Sequence, residues 1–461
     1  MESSEIRKRF LEFFKARGHT IVPSSSLIPD DPSVLLTTAG MQQFKKYYTG
    51  EADPMKDFGS KSTVSVQKSF RTSDIDEVGD ETHLTFFEML GNFSFGGYFK
   101  EDAIKLAYDF FKSINLSIQY VTVFEGDKDV PADKESEDIW KRLGVTDIRR
   151  HGRADNFWGP TGSEGPCGPT TEIYVRDTEI WNIVFNQYYC RPNKTLEPLK
   201  QSGVDTGMGL ERLAMVLQGK SNIFETDLFQ STLECLGDIP LHSKRIIADH
   251  ARGLIFLIAD GVRPGNKDRS YILRALIRRA ASHLKEFRPL RLTPEGETPQ
   301  RLITLHMVIE GLIEQYGSAY PYLLNRHDAI LSVFTEEVQR FNKVFEDGEK
   351  LLQDVIRSTK KSGSFKISGK EAFDLVSTHG LVLEWVKDTA RVHSLEFDLE
   401  GYNSALEKHK EISRAGQEKK FGGHGLILDT GELKAGSEEE LRIVTRLHTA
   451  THLLNAALRK V

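Results

Sequence analysis

Cysteine is scarce in this chain. Only three occur in 461 residues, Cys167, Cys190 and Cys235, and none sits in a C-x-x-C pair. An odd, unpatterned set excludes a disulfide framework and fits a reducing compartment. Long apolar runs are missing too, so nothing reads as a membrane span. The N-terminal stretch MESSEIRKRFLEFFKARGH carries charge throughout and lacks the apolar core of a signal peptide. The expected setting is cytoplasmic, with no membrane partner. There is little net charge: 61 Lys and Arg stand against 67 Asp and Glu, a formal balance of −6. A nucleic-acid partner therefore cannot be argued from total charge and would need a local basic surface. Internal repeats and low-complexity segments are absent as well.

The composition that remains, 39% hydrophobic and 10% aromatic, is globular. The length calls for roughly two to four domains. The first helix should bury Ile6, Phe10, Phe13 and Phe14. SVLLTTAG, STVSVQKSF, IQYVTVFEG, TEIYVRD and IWNIVFNQYY then read as strands, with EDAIKLAYDFFKSI as a helix among them. Strands without regular helical crossovers predict a mainly antiparallel α+β domain over residues 1–236. From KRIIADHARGLIFLIADG onward the period is helical, and a second, all-helical domain is expected over 237–420. FGGHG breaks that pattern, leaving 421–461 as a linker and one last helix.

Four stretches can carry chemistry. SVQKSFRTSDIDEVGDETHLTFFEMLGNFSFGGYF reads as strand, loop and strand. Either it holds a nucleotide, with Arg71 and His83 as phosphate donors and Phe86 or Phe87 as a stacking face, or it is a core hairpin with Arg71 merely exposed. In VDTGMGLERLAMVLQG, Asp205 precedes two glycines and Arg212 opens a helix where it could reach a phosphate; equally, the glycines only pack helix on strand. The Gly- and Pro-rich stretch after Trp158 reads as a long, site-lining loop. Its Cys167 has no locally placed histidine to activate it as a nucleophile. In DGVRPGNKDRSYILRALIRRA, the residues Arg263, Lys267, Arg269, Arg274, Arg278 and Arg279 form a basic cluster. Its apolar side is used for packing, which leaves the arginines outward, either for phosphate or as a solvated face.

HLTFFEMLGNFSFGGYF, DNFW, GPCGPTTEI, EIWNIVFNQY, VDTGMGLERLAMVLQG, IADHARGLIFLIADGV and YILRALIRRA together resemble the alanyl-tRNA synthetase family, a branch of the class II aminoacyl-tRNA synthetases. The likeness runs over nearly the whole chain. It implies an antiparallel sheet flanked by helices, followed by a helical tRNA-recognition domain. It implies alanine, ATP with Mg²⁺, and tRNA(Ala) as substrates: alanine is activated to alanyl-adenylate and moved to the tRNA 3′ end. By the same resemblance, Arg71 and Arg212 grip the α- and γ-phosphates, and His83, Phe87 and Glu88 surround ATP. Asp205 takes the substrate ammonium. Trp158, Asn182, Val184 and Gly207 wall the amino-acid pocket, and Asn266, Arg274, Arg278, Arg279 and Ser377 face tRNA.

The sequence also departs from the family pattern. Leu84 replaces a histidine of H-H-T-F-F-E-M, and Gly265 and Ser270 flank Asn266 unusually. Ser377 stands where the family places the aspartate that helps read the acceptor-stem G·U pair; a hydroxyl can bond there but carries no charge. Leu84 and Ser377 motivate an alternative, a catalytically silent synthetase-like tRNA-binding protein. The segment 422–447 is too short for the family's β-rich domain. The family's dimerising C-terminal region is not present, so a monomer is expected.

His448 and His452 match the first half of an editing-domain zinc site. Clearance of mischarged tRNA is accordingly expected to be absent. Zinc is expected only in a full-length editing domain, because two imidazoles leave a tetrahedron half empty. Elemental analysis of the purified chain should find far less than one zinc per molecule; a full equivalent would contradict this reading.

Overall fold

A computed structural model describes residues 1–408, apart from 32, 161 and 288–299, together with 426–427 and 433–434. Its centre is one sheet built from β1 (Thr20–Ile21), β2 (Ser62–Phe70), β3 (Phe86–Phe95), β4 (Tyr120–Phe124), β5 (Ile148–His151), β6 (Phe157–Trp158), β7 (Gly165–Val175), β8 (Thr178–Cys190) and β9 (Leu196–Gly209). The order is β1-β2-β3-β9-β8-β7-β4-β5, with β6 added on β7. The long inner ladders are antiparallel, and only the edge pairs β1–β2 and β4–β5 are parallel.

Helices α1 (Ser3–Lys15), α2 (Lys100–Ser113), α3 (Lys134–Arg142) and α4 (Leu210–Leu217) belong to the sheet region. Phe10 and Phe14 of α1 meet Phe110 and Trp181, with the Phe10 ring centred 5.3 Å from Phe110 and 5.9 Å from Trp181. Phe13, expected inside, is only half-buried, and the Arg17 guanidinium covers it at 3.5 Å. Helices α5 (Leu241–Ala259), α6 (Asp268–Phe287), α7 (Gln300–Gly317) and α8 (His327–Lys361) follow, then α9 (Gly369–Ser377) and α10 (Leu383–Val392).

Two segments differ from the sequence reading. SVLLTTAG is not a strand. The Thr37 amide donates to Leu27 O and Thr37 O accepts from Phe70, after which the chain turns into a short 3-10 helix at Gly40–Phe44. GPCGPTT, read as loop, is the start of β7. It is buried on both faces, so it lacks the alternation that marks a half-exposed strand. Its register shifts between Cys167 and Thr170, where Pro169 cannot donate to the ladder. In the helical region a small parallel pair, β10 (Lys366–Ile367) and β11 (Glu396–Phe397), adds to the expected helices. Leu426–Ile427 and Leu433–Lys434 pair antiparallel.

The last strand of the sheet ends at Gly209, and helices follow from Leu210, the long ones from Leu241. The boundary between compact units lies later, between Asn342 and Lys343. The reason is that α5 packs directly on the sheet: Phe256 stacks on Phe86 with ring centres 4.4 Å apart. No helix among the described residues is long and apolar enough to cross a membrane.

The side of β3 facing α1 and α5 buries charge. Glu88 accepts from Arg7 Nε at 2.8 Å and from the Tyr320 hydroxyl at 2.8 Å. Glu211 pairs with Arg252, whose Nε donates to the Tyr316 hydroxyl at 2.8 Å. Glu88 is thus a structural anchor and not part of a nucleotide site, correcting its expected role. Along a strand, side chains alternate faces, so Phe87 and Met89 point one way and Glu88 the other. Replacing Glu88 with Leu leaves Arg7, whose side chain is 14% exposed, buried without its partner. The loss should be about 3–5 kcal/mol in a urea unfolding titration; a change below about 1 kcal/mol would contradict the anchoring.

Candidate active site

On the opposite face of the sheet lies a cavity of about 450 Å³. Its position follows from ladder register. Glu172 on β7 stands opposite Asn182 on β8, which stands opposite Gly207 on β9; the next row is Thr170, Val184 and Asp205. Residues two apart on each strand share a face, so these side chains converge. Phe87 and Met89 of β3 supply the adjoining wall, and Trp158 on β6 another. Gly207 lets β9 pass close to Met89, whose Sδ would lie 2.9 Å from a Cβ there and would have to shift.

The cavity brings together Arg71, His83, Phe87, Trp158, Asn182, Val184, Asp205, Gly207 and Arg212. Arg71 is exposed, follows the end of β2 and lies over the Phe87 ring at 5.0 Å. Arg212, in the first turn of α4, donates to Glu179 Oε2 at 3.0 Å. Both guanidiniums can reach a polyanion entering from solvent, and Phe87 offers a flat face between them and the core. His83 bonds Asp80 through Nδ1 at 2.5 Å. That bond, outweighing burial, holds the imidazole above its ordinary pKa, so its charged form is favoured.

Asp205 sets the chemistry of the inner end. It is 6% exposed, and no hydrogen bond or ion pair to its carboxylate occurs among the described residues. Burial alone pushes it up to about 7. Asn182 is oriented by Glu172: its Nδ2 donates to Glu172 Oε1 at 3.1 Å, which leaves a buried Oδ1 without a donor. A carboxylate and an amide oxygen, both lacking donors, are what a small ammonium group would satisfy. Trp158 and Val184 line the same cavity and give it apolar surface.

Sequence reasoning missed Glu172 and Glu179. Burial first, then the charge of Glu179, pushes Glu172 up to about 7; it also accepts from the Tyr174 hydroxyl at 2.9 Å. The signal lay in the alternation of TTEIYV and TEIWNIV, which places Glu172 and Asn182 on one face once the strands pair. Leu84, noted as a departure, lines the cavity. Cys167 is buried in β7, and burial pushes its thiol up to about 12, which removes it as a nucleophile.

The basic cluster is only partly outward. Arg263, Lys267 and Asn266 are exposed, and the half-buried Arg274 donates to Asn266 Oδ1. Arg278 turns to Glu337, with Nε donating to Oε1 at 2.7 Å, and packs over Phe341 at 5.3 Å. Arg279 is buried at 2% exposure and donates to Ile75 O at 2.6 Å. It is therefore corrected from an RNA-facing residue to an internal one, because the loop before β3 offers it unpaired carbonyls. Ser377 is exposed at the end of α9, in the second unit. His448 and His452 lie outside the described residues; among those described, no cluster of three or more His, Cys, Asp and Glu could hold a metal ion.

Residues 5–442 match the family described as tRNA synthetases class II (A). The chain is 42% identical to an alanine–tRNA ligase of Rubrobacter xylanophilus, over 90% of this chain and 50% of that protein. It is 39% identical to an alanine–tRNA ligase of Borrelia hermsii, over 100% of this chain and 79% of that one. For the alanine–tRNA ligase of Treponema pallidum the figures are 37%, 100% and 78%. The chain thus spans half the length of the first of these relatives and nearly four-fifths of the other two.

Proposed function

Because the chain belongs to the alanine group of the class II tRNA synthetases, we propose that it activates alanine with ATP and transfers it to the 3′ end of tRNA(Ala). The observation that carries the reading is Asp205, a buried carboxylate without a partner among the described residues, in the same cavity as the donor-free Oδ1 of Asn182. The alanine ammonium would supply the missing cation and donors. Its methyl group would lie against Trp158 and Val184.

Held there, the alanine carboxylate attacks the α-phosphorus of ATP, and pyrophosphate leaves. Arg71 offsets charge at the α-phosphate, Arg212 holds the γ-phosphate, and Phe87 stacks on adenine. Catalysis is then positioning plus electrostatics, with no protein nucleophile. In the second step a ribose hydroxyl of the terminal adenosine attacks the alanyl carbonyl, and AMP leaves. Mg²⁺ entering with ATP would need only one or two carboxylates from the protein. Glu179, on the cavity wall, is a hard oxygen donor of the right kind, so the residues present fit an ion carried in with ATP. That ion would offset phosphate charge.

Residues 237–420 are proposed as the tRNA-recognition part. Asn266 and Arg274, joined by their hydrogen bond, form an exposed donor set for an RNA stem, and Ser377 is a second candidate contact. Arg278, engaged with Glu337, is a supporting residue in this reading.

Alanine-dependent ATP–pyrophosphate exchange tests the activity. Exchange should occur with alanine, ATP and Mg²⁺ alone. Arg71→Ala and Asp205→Ala should each cost about 2–5 kcal/mol, roughly 30- to several-thousand-fold. RNA binding without exchange in the wild type would favour a silent binding protein instead.

The pH profile follows from Asp205. Below about 7 it is neutral, and alanine must displace its proton. The KM for alanine should fall roughly tenfold per unit as pH rises toward 7, then level off. Glu172 titrates in the same window, so Glu172→Gln should keep this slope, whereas Asp205→Asn should abolish it. A flat profile in the wild type would contradict the assignment.

A further inference from the structure

The loop between β2 and β3, residues 71–85, has two sides. Arg71, Asp74, Thr82, His83 and Leu84 line the cavity. The backbone on its other side is fastened to helices α5 and α6. The Arg279 guanidinium donates to Ile75 O at 2.6 Å and to Val78 O at 3.4 Å. Gly79, at φ +126°, is wedged against His242, whose ring lies 2.3 Å from where a Cβ would be; no other residue fits there. At the loop's end, Asp249 accepts from the Thr85 amide at 2.9 Å and from the Thr85 hydroxyl. Thr85 O in turn accepts from the Arg71 amide at 2.8 Å.

His250 joins these two fastenings. Its Nδ1 lies 2.9 Å from Asp249 Oδ2 and its Nε2 lies 3.2 Å from Arg279 NH1. A guanidinium can only donate and a carboxylate only accept, so the imidazole must donate from Nδ1 and accept at Nε2. It is therefore neutral, in agreement with the burial that pushes it down to about 4. Asp249 and His250 are wholly buried and Arg279 nearly so. The result is a continuous chain of bonds from α6 to the backbone of Arg71, with Asp249 accepting from both sides.

We propose that Arg279, His250 and Asp249 are positioning residues for ATP, fixing the loop so that Arg71 and His83 meet the phosphates. None of the three touches the cavity, so they act through the loop. The inference rests on the proposed synthetase activity. It differs from a general packing role in one respect: damage should fall on ATP and not on alanine, whose contacts come from β8 and β9.

The test is alanine-dependent exchange with full kinetics for both substrates. His250→Leu removes donor and acceptor together; His250→Gln can supply both. The leucine variant should raise the KM for ATP by roughly tenfold while leaving the KM for alanine within about twofold, and the glutamine variant should recover most of the loss. If His250→Leu does not fold, Thr85→Val, which removes one donor to Asp249 and keeps the side-chain shape, is read in the same way. Unchanged ATP kinetics in a folded variant would overturn the proposal. So would equal loss for both substrates, which marks simple destabilisation. Both outcomes leave the synthetase reading intact. Exchange missing from the wild type would overturn that reading, and the inference with it.

Discussion

The two-residue pleat of β3 is the constraint on which the rest depends. Phe87 and Met89 face the cavity; Phe86 and Glu88 face α1, α5 and Tyr320, which follows α7. A slip of one residue would place Glu88 in the cavity and Phe87 in the charged layer. The rear face guards against it. Glu88 is held by Arg7 and Tyr320, and Phe86 is held by stacking on Phe256. The site is therefore built on a rigid ladder whose register is fixed from behind.

That rear layer also sharpens the meaning of Asp205. Several deep carboxylates have cations beside them: Glu88 has Arg7, Glu211 has Arg252, Asp133 has Lys100 and Asp260 has Lys68; Asp249 and Glu172 have hydrogen-bond donors instead. Each pairing offsets the cost of taking charge out of water. On Asp205, burial is the only influence. Asp205 has neither a cation nor a donor on its carboxylate among the described residues, which is why the proposed function gives it to a ligand. Rejecting alanine's smaller or hydroxylated analogues by size is hard for such a pocket, since a methylene is worth only about 1–3 kcal/mol.

Much of this was legible in the sequence, for definite reasons. Strands β2, β4 and β8 have strong β-propensity, and the helices from Leu241 onward are long and periodic, so local patterns sufficed. Resemblance to the synthetase motifs then named nine residues that line one cavity, among them Arg71, Asp205 and Arg212. What failed had nonlocal causes. Glu88 was given to ATP because a motif does not say which face a residue takes. Arg279 was read as outward because charge usually is, and its partners lie some 200 residues earlier in the loop before β3. GPCGPTT looked like loop because a strand buried on both faces carries no alternation. Glu172 went unnoticed because its partner, Asn182, is reached only through strand pairing.

The account's central claim is that Asp205 awaits the ammonium of alanine. Carbon-13 carboxyl NMR of aspartate-labelled protein tests it directly, by titrating Asp205 with and without saturating L-alanine. The free protein should show Asp205 near 7. Bound alanine should lower that value by about two units or more, since each unit is about 1.4 kcal/mol of preference for the ionised form. An Asp205 titration that alanine leaves in place would contradict the account.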